Sequence, residues 1–261
     1  MKKNVIWITG ASSGIGAELA KQYAERGNQL ILSARREKAL QQVKESCNHQ
    51  DNIAILPLDL KDFNAMESHV KKALSFFGCI DLLINNGGVS QRSLIEETQF
   101  EVYQELININ YLGTIALTKA LLPHFIKRKK GHFAVVTSVM GKFGSPYRSG
   151  YCGAKHALHG FFDVLRMEHQ KDNVSVTIIC PGFVQTNVTI NALTGNGDRL
   201  NHDDPGTQNG LEVAFFCKKM IRAIHNNKWE VSFGKKEKLG VFLKRFSQKL
   251  LHFIVLRSNV R

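Results

Sequence analysis

Short runs of β-branched and aliphatic residues alternate along this chain with longer stretches whose apolar positions recur every three to four residues. The short runs predict strands at 4–9, 29–33, 53–56, 80–85, 133–137, 174–180 and 229–233. The longer stretches predict helices, among them 14–26, 36–47, 62–77, 99–129 and 151–170. Strand–helix alternation of this kind buries each strand on both faces. It predicts an α/β fold of Rossmann type, a doubly wound parallel sheet of about seven strands with helices on both sides. The 261 residues suffice for one such domain spanning 1–261, and no internal repeat or low-complexity linker divides them.

Two segments depart from the rhythm. Residues 187–210 are rich in Asn, Gly and Asp and hold Pro205. They follow a sheet strand on the side where such sheets bind ligands, so the segment is expected to be a mobile substrate loop. Residues 235–257 place Leu239, Phe242, Leu243, Phe246, Leu250, Phe253 and Ile254 at helical spacing, with Lys238, Lys244, Arg245 and Lys249 between them. That pattern predicts a basic amphipathic C-terminal helix. It fits packing on the body, packing on a partner subunit, or contact with a membrane surface, and periodicity alone leaves all three open.

Charge sharpens this picture. The net charge is +13, and from Lys228 to Arg261 nine Lys and Arg face only two acidic residues. A solvated basic face is the ordinary reading, with an anionic membrane surface, an anionic substrate or nucleic acid as the alternatives. No nucleic-acid motif accompanies the charge, so nucleic acid is not an expected partner. Met1-Lys2-Lys3 runs directly into the strand-like Val5-Ile6-Trp7-Ile8, which does not read as a signal peptide, and no apolar stretch is long enough to span a bilayer. Five widely spaced cysteines without a C-x-x-C fit a reduced, cytoplasmic compartment. The ten histidines show no metal-ligand spacing, and no metal site is expected.

Candidate chemistry centres on Tyr151-Cys152-Gly153-Ala154-Lys155, with Ser138 thirteen residues before the tyrosine. Residues four apart on a helix share a face, so a phenol and an ammonium point into one site, while Cys152 points elsewhere. A free tyrosine ionises near pH 10. Lowering that by about three units takes roughly 4 kcal/mol of preferential phenolate stabilisation, and a neighbouring cation has the right sign to supply it. A serine hydroxyl nearby then bonds a substrate oxygen. Redox chemistry must come from elsewhere.

The chain's beginning supplies a source. The first strand ends in Thr9-Gly10-Ala11-Ser12-Ser13-Gly14-Ile15-Gly16. Glycines there permit a tight turn and close approach of backbone to phosphate, and the next helix offers its free N–H groups. The spacing G-x-x-x-G-x-G differs from the common dinucleotide fingerprint, but its place between strand and helix at the start of the fold is the expected one. After the second strand, Ala34 stands where an NAD site usually carries an acid, and Arg35 and Arg36 follow. Arginine pairs with a 2′-phosphate, which favours NADP(H), with NAD(H) as the alternative. Asp59 follows the third strand, in position to bond an adenine ring, and Asn85-Asn86-Gly87-Gly88 follows the fourth.

Taken together, these motifs resemble the classical short-chain dehydrogenase/reductases over nearly the full length. Thr9 to Gly16 is similar to that family's glycine-rich motif, and Asn85-Asn86-Gly87-Gly88 to its N-N-A-G, with Gly87 in place of the usual alanine. Asn110, Ser138, Tyr151 and Lys155 match the catalytic tetrad, and Pro181-Gly182-Phe183-Val184-Gln185-Thr186 the motif that contacts nicotinamide. The resemblance implies that Tyr151 exchanges the proton at the substrate oxygen and that Lys155 lowers its pKa and bonds the nicotinamide ribose. It implies that Ser138 polarises the carbonyl and that Asn110 holds a relay water. Cofactor contacts are implied for Gly10, Ser12, Ser13, Gly14, Ile15, Gly16, Arg35, Arg36, Asp59, Leu60, Asn86, Gly87, Tyr151, Lys155, Val184 and Thr186.

The implied reaction is hydride transfer between nicotinamide and a ketone, aldehyde or secondary alcohol. Thr186-Asn187, Asn191 to Thr194 and the basic tail are similar to a membrane-associated branch acting on steroids, retinoids or acylated dihydroxyacetone phosphate, so a lipophilic substrate is expected. The family's habit of pairing helices like 99–129 and 151–170 implies a homodimer or homotetramer. The competing expectation is a sensor or partner-binding protein that keeps the dinucleotide fold without turnover; its usual mark, a broken tetrad, is missing here.

Overall fold

The computed structural model describes residues 3–257. Met1 and Lys2, on which the reading of the chain's start partly rests, and Arg261, counted in the tail's charge, lie outside the described residues. Seven strands form: β1 (Val5–Thr9), β2 (Gln29–Ser33), β3 (Ile53–Ile55), β4 (Leu82–Asn85), β5 (Gly131–Val136), β6 (Val174–Pro181) and β7 (Glu230–Phe233). All pair in parallel in the order β3-β2-β1-β4-β5-β6-β7. The chain leaves β1 toward one edge and returns at β4 toward the other. The C-terminal ends of β1 and β4 therefore flank the crevice where such sheets bind ligands.

Helices cover both faces. The strands alternate their side chains between two apolar layers. One layer joins Ile6, Ile8, Leu30 and Leu32 to α1 (Gly14–Glu25), α2 (Glu37–Glu45) and α8 (Val213–His225). The other joins Trp7, Ile31, Leu83 and Phe133 to α3 (Met66–Phe77), α5 (Gly113–Arg128) and α6 (Ser149–Glu168). Trp7 is wholly buried, and its indole N–H donates to Ser33 Oγ at 2.8 Å, so its one polar atom is satisfied.

Three features depart from expectation. The helix expected over 99–129 is interrupted: α4 (Phe100–Ile107) passes into α5 through a π-helical stretch, Asn108–Leu112. The loop at 187–210 is pinned rather than free. Leu193 bridges to Gln91 and Arg199, and Asp204 caps the short helix α7 (Pro205–Gln208) through Thr207 N at 2.7 Å. The tail is two helices, α9 (Glu237–Phe246) and α10 (Gln248–Arg257), because Ser247 adopts extended backbone between them.

Candidate active site

A cleft of about 670 Å³ opens at the C-terminal ends of the strands. Every residue given a catalytic or cofactor role in the sequence lines it except Gly16 and Asn110, which lie just behind its wall. At its β1 end, Gly10 adopts φ +64, a conformation that side chains disfavour, and Ser13 stands as the N-cap of α1. Space there is as restricted as conformation. A Cβ on Gly16 would lie 2.2 Å from the Gly10 carbonyl oxygen, and one on Gly10 would lie 2.8 Å from Gly87 Cα. Thr9 Oγ1 accepts from the backbone N–H groups of Asn86 (3.1 Å) and Gly87 (3.0 Å), and Asn86 Nδ2 donates to Thr9 O at 3.1 Å. The ends of β1 and β4 are thus tied into one backbone cradle. With the free N–H groups of α1 behind it, the cradle fits a dinucleotide's phosphates. Arg35 and Arg36 are exposed on the cleft wall, and among the described residues neither forms an ion pair. Asp59 accepts from Lys61 N at 3.0 Å, which fixes its carboxylate at the far end of the cleft.

Tyr151 and Lys155 lie on α6, one turn apart as expected, and face the β4–β5 side of the cleft. Lys155 is buried, and its Nζ donates to Val136 O at 2.9 Å. Burial lowers its pKa to about 8. Ser138, at the end of β5, accepts from Met140 N at 3.1 Å and donates to Pro181 O at 3.3 Å. It also acts on the Tyr151 phenol, lowering its pKa. Asn110 sits in the π-helical stretch, fully buried. Its Oδ1 accepts from Val89 N at 2.8 Å while its Nδ2 donates to Val89 O at 2.9 Å. The side-chain amide is therefore spent on holding the loop after β4. The π-bulge widens the helix where the amide turns inward, a placement frequent at functional sites.

One electrostatic expectation changes. Burial pushes the Tyr151 phenol up; the nearby Ser138 hydroxyl and the charges of Arg92 and Arg148 push it down. Lys155 stands 5.7 Å from the ring centroid and spends one of its N–H donors on Val136 O. Two arginines that the sequence reading missed also act on the phenol. Arg92 Nη2 meets Asp204 Oδ2 at 2.7 Å and its Nε meets the same oxygen at 3.2 Å, while Arg148 Nη2 lies 3.5 Å from it. Arg148 and Asp204 are buried, and the Arg92 side chain is only 9% exposed. The cluster locks the 187–210 loop over the site. The one signal in the sequence was Arg92 itself, a charged residue just after Gly87-Gly88.

Among the described residues, His159, Cys180 and Glu230 also converge behind Ser138, with ligand atoms within 4.8 Å of one another. Glu230 there is bonded to Lys142 at 2.5 Å, and burial pushes the Cys180 thiol up to about 11. This is the pattern of a charge network bracing β6 and β7.

Residues 4–196 match the family model described as short chain dehydrogenase. The chain is 50% identical to human dehydrogenase/reductase SDR family member 7, over 87% of this chain and 69% of that protein. In structure it is similar to a short-chain dehydrogenase from Streptomyces avermitilis, with TM-score 0.83, 24% identity and 98% of both chains covered. It is also similar to an alcohol dehydrogenase from the archaeon Thermococcus sibiricus complexed with 5-hydroxy-NADP, with TM-score 0.76, 25% identity, and 90% of this chain and 98% of that one covered. A cradle that only glycine permits, a Ser-Tyr-Lys constellation facing it and a match spanning most of the chain lead to one assignment: this chain belongs to the short-chain dehydrogenase/reductase family of oxidoreductases.

Proposed function

We propose that this protein is an NADP(H)-dependent carbonyl reductase or secondary-alcohol dehydrogenase acting on a lipophilic substrate. One observation carries the reading: Ser138, Tyr151 and Lys155 meet at one end of a cleft whose other wall offers Arg35 and Arg36, without ionic partners among the described residues. When bound, the nicotinamide supplies or accepts the hydride. The chain's own residues do the rest. The glycine cradle holds the phosphates, with Ser12, Ser13, Gly14, Ile15 and Thr186 around it. Leu60, Asn86, Gly87 and Val184 shape the walls. Ser138, its hydroxyl turned away from Pro181 O, donates to the carbonyl oxygen, Tyr151 delivers or removes the proton at that oxygen, and Lys155 places a positive charge behind them. A general acid so positioned contributes about 10²–10⁴-fold to the rate.

The direct test is NADPH oxidation across a panel of lipophilic ketones and aldehydes. Silence across the panel with tight NADPH binding supports the non-catalytic sensor instead. Cofactor choice has its own check. Arg35→Ala with Arg36→Ala is expected to weaken NADPH binding roughly 10- to 100-fold, since each charge-assisted bond contributes about 1.5–3 kcal/mol. NADH affinity should hold, and equal loss for both cofactors would refute a 2′-phosphate role.

The pH profile follows from Lys155. Its ammonium favours phenolate on Tyr151 as the proton leaves, and it loses that charge above about pH 8. Because kcat/KM reports the free enzyme, its value for carbonyl reduction is expected to fall as pH rises through about 8. The Tyr151 phenol titrates above its ordinary value of 10.0 and is not the source of that limb. A flat profile from pH 6 to 10 would be inconsistent with this assignment.

Assembly into a homodimer or homotetramer belongs to the same proposal. It is supported by Phe100 on α4 and Val164 and Met167 on α6, large apolar side chains left exposed on the helices concerned. Contact with a membrane surface belongs to it too, as the place where a lipophilic carbonyl compound resides.

A further inference from the structure

The two C-terminal helices are apolar on opposite sides. Inward, Gly240 of α9 packs against Phe143, and Leu251 and Val255 of α10 join Val139, Val241 and Leu243 in a small satellite core. Outward, Leu239, Phe242 and Phe246 recur along one face of α9, and Leu250, Phe253 and Ile254 along one face of α10. These six are 42–81% exposed, although three are phenylalanines. A helix that is apolar on both sides has two faces to bury, and here only one is buried.

Charge identifies what covers the other. Between residues 235 and 257 stand Lys235, Lys236, Lys238, Lys244, Arg245, Lys249 and Arg257, with Glu237 the single acid. Glu237 is turned inward, where its Oε1 accepts from Phe183 N at 3.0 Å, so it does not dilute the surface charge. A second copy of this chain would bring the same positive patch, or a body of net charge +13, against it. Like charges facing across an interface oppose association. An anionic bilayer offers the opposite charge and apolar depth together. Long basic side chains lay their stems along the apolar face and raise their charges to the headgroups. Arg257 already lies over the Phe253 ring, 3.7 Å from its centroid.

We propose that α9 and α10 form a docking surface for an anionic phospholipid bilayer. Glu237 fixes where this surface sits. Through Phe183 it ties the start of α9 to Pro181-Gly182, which line the cleft. The bilayer then lies beside the cleft mouth; only this last point rests on the redox reading, as the route for a lipophilic substrate.

The test is cosedimentation of the full chain with vesicles of phosphatidylcholine, alone or with roughly one-third phosphatidylserine. Binding is expected only with phosphatidylserine, and is expected to weaken steeply as salt rises. Phe246→Ser with Phe253→Ser should weaken it roughly tenfold or more, since each lost anchor removes apolar burial. Lys244→Glu with Arg245→Glu should weaken it by the loss of charge. NADPH binding, read by its fluorescence, is expected to be unchanged in both variants, which shows that the domain stays folded. Failure to sediment with anionic vesicles overturns the proposal. So does unaltered binding in both variants, and so does a dimer in sedimentation velocity that Phe246→Ser and Phe253→Ser dissociate. Turnover of a water-soluble aldehyde tests the redox function separately, so the failure of one reading is not mistaken for the failure of the other.

Discussion

Replacing Tyr151 with phenylalanine is expected to lower turnover by roughly 10²–10⁴-fold while leaving NADPH affinity nearly unchanged. The substitution removes one oxygen and keeps the ring, so packing on α6 is preserved. The nearby Ser138 retains its bonds to Met140 N and Pro181 O, so the folded state loses about 1 kcal/mol at most. The cofactor's cradle is built by Gly10, Gly16, Asn86 and Gly87 at the other side of the cleft, with no contribution from the phenol. Loss confined to kcat therefore marks a proton-transfer role. A matched fall in NADPH affinity would mark a binding role instead, and full activity would remove Tyr151 from the reaction. The measurement is steady-state NADPH oxidation beside a fluorescence titration of the cofactor.

That this variant could be chosen from sequence reflects which parts of the molecule are encoded locally. All seven strands were legible because each is a short run of β-branched and aliphatic residues bounded by helical periodicity. The spacing of Tyr151 and Lys155 was legible because a helix places residues four apart on one face. The π-bulge at Asn108–Leu112 was not, since no glycine or proline stands within it. Nor was the break at Ser247, where two helices fold back onto Phe143 because packing, rather than a breaker residue, sets the turn. The polarity around Tyr151 was hidden most deeply. It depends on Arg92, Arg148 and Asp204, which lie far apart in the chain and meet only when the substrate loop closes over the sheet. Composition made that loop look mobile; its buried ion pairs pin it.

That pinning supports the second large effect. Asp204→Ala is expected to destabilise the loop by about 3–5 kcal/mol, because it leaves the buried guanidiniums of Arg92 and Arg148 without their shared carboxylate. The same change removes the cap of α7, since Asp204 Oδ1 accepts from Thr207 N. The loop touches the body through Leu193 and Gln91, so opening should be local, seen as new proteolytic cleavage within 187–210 before any global unfolding. KM for the carbonyl substrate should rise as the cleft loses its cover, with NADPH affinity little affected. A double variant, Asp204→Ala with Arg92→Met, should cost less than the sum of the two, because the Arg92–Asp204 pair is lost only once and the Arg92 charge is no longer stranded. The pH profile separates electrostatics from simple loosening. The arginine charges lower the Tyr151 pKa, and Asp204 partly neutralises them. Arg92→Met should therefore move the pH dependence of alcohol oxidation, in which Tyr151 must lose its proton, to higher pH. Asp204→Asn, which keeps a capping oxygen and removes the negative charge, should move it to lower pH. Shifts of opposite sign in these two variants would establish that the latch on the loop also sets the acidity of the phenol beneath it, and coincident profiles would reduce it to a mechanical clasp.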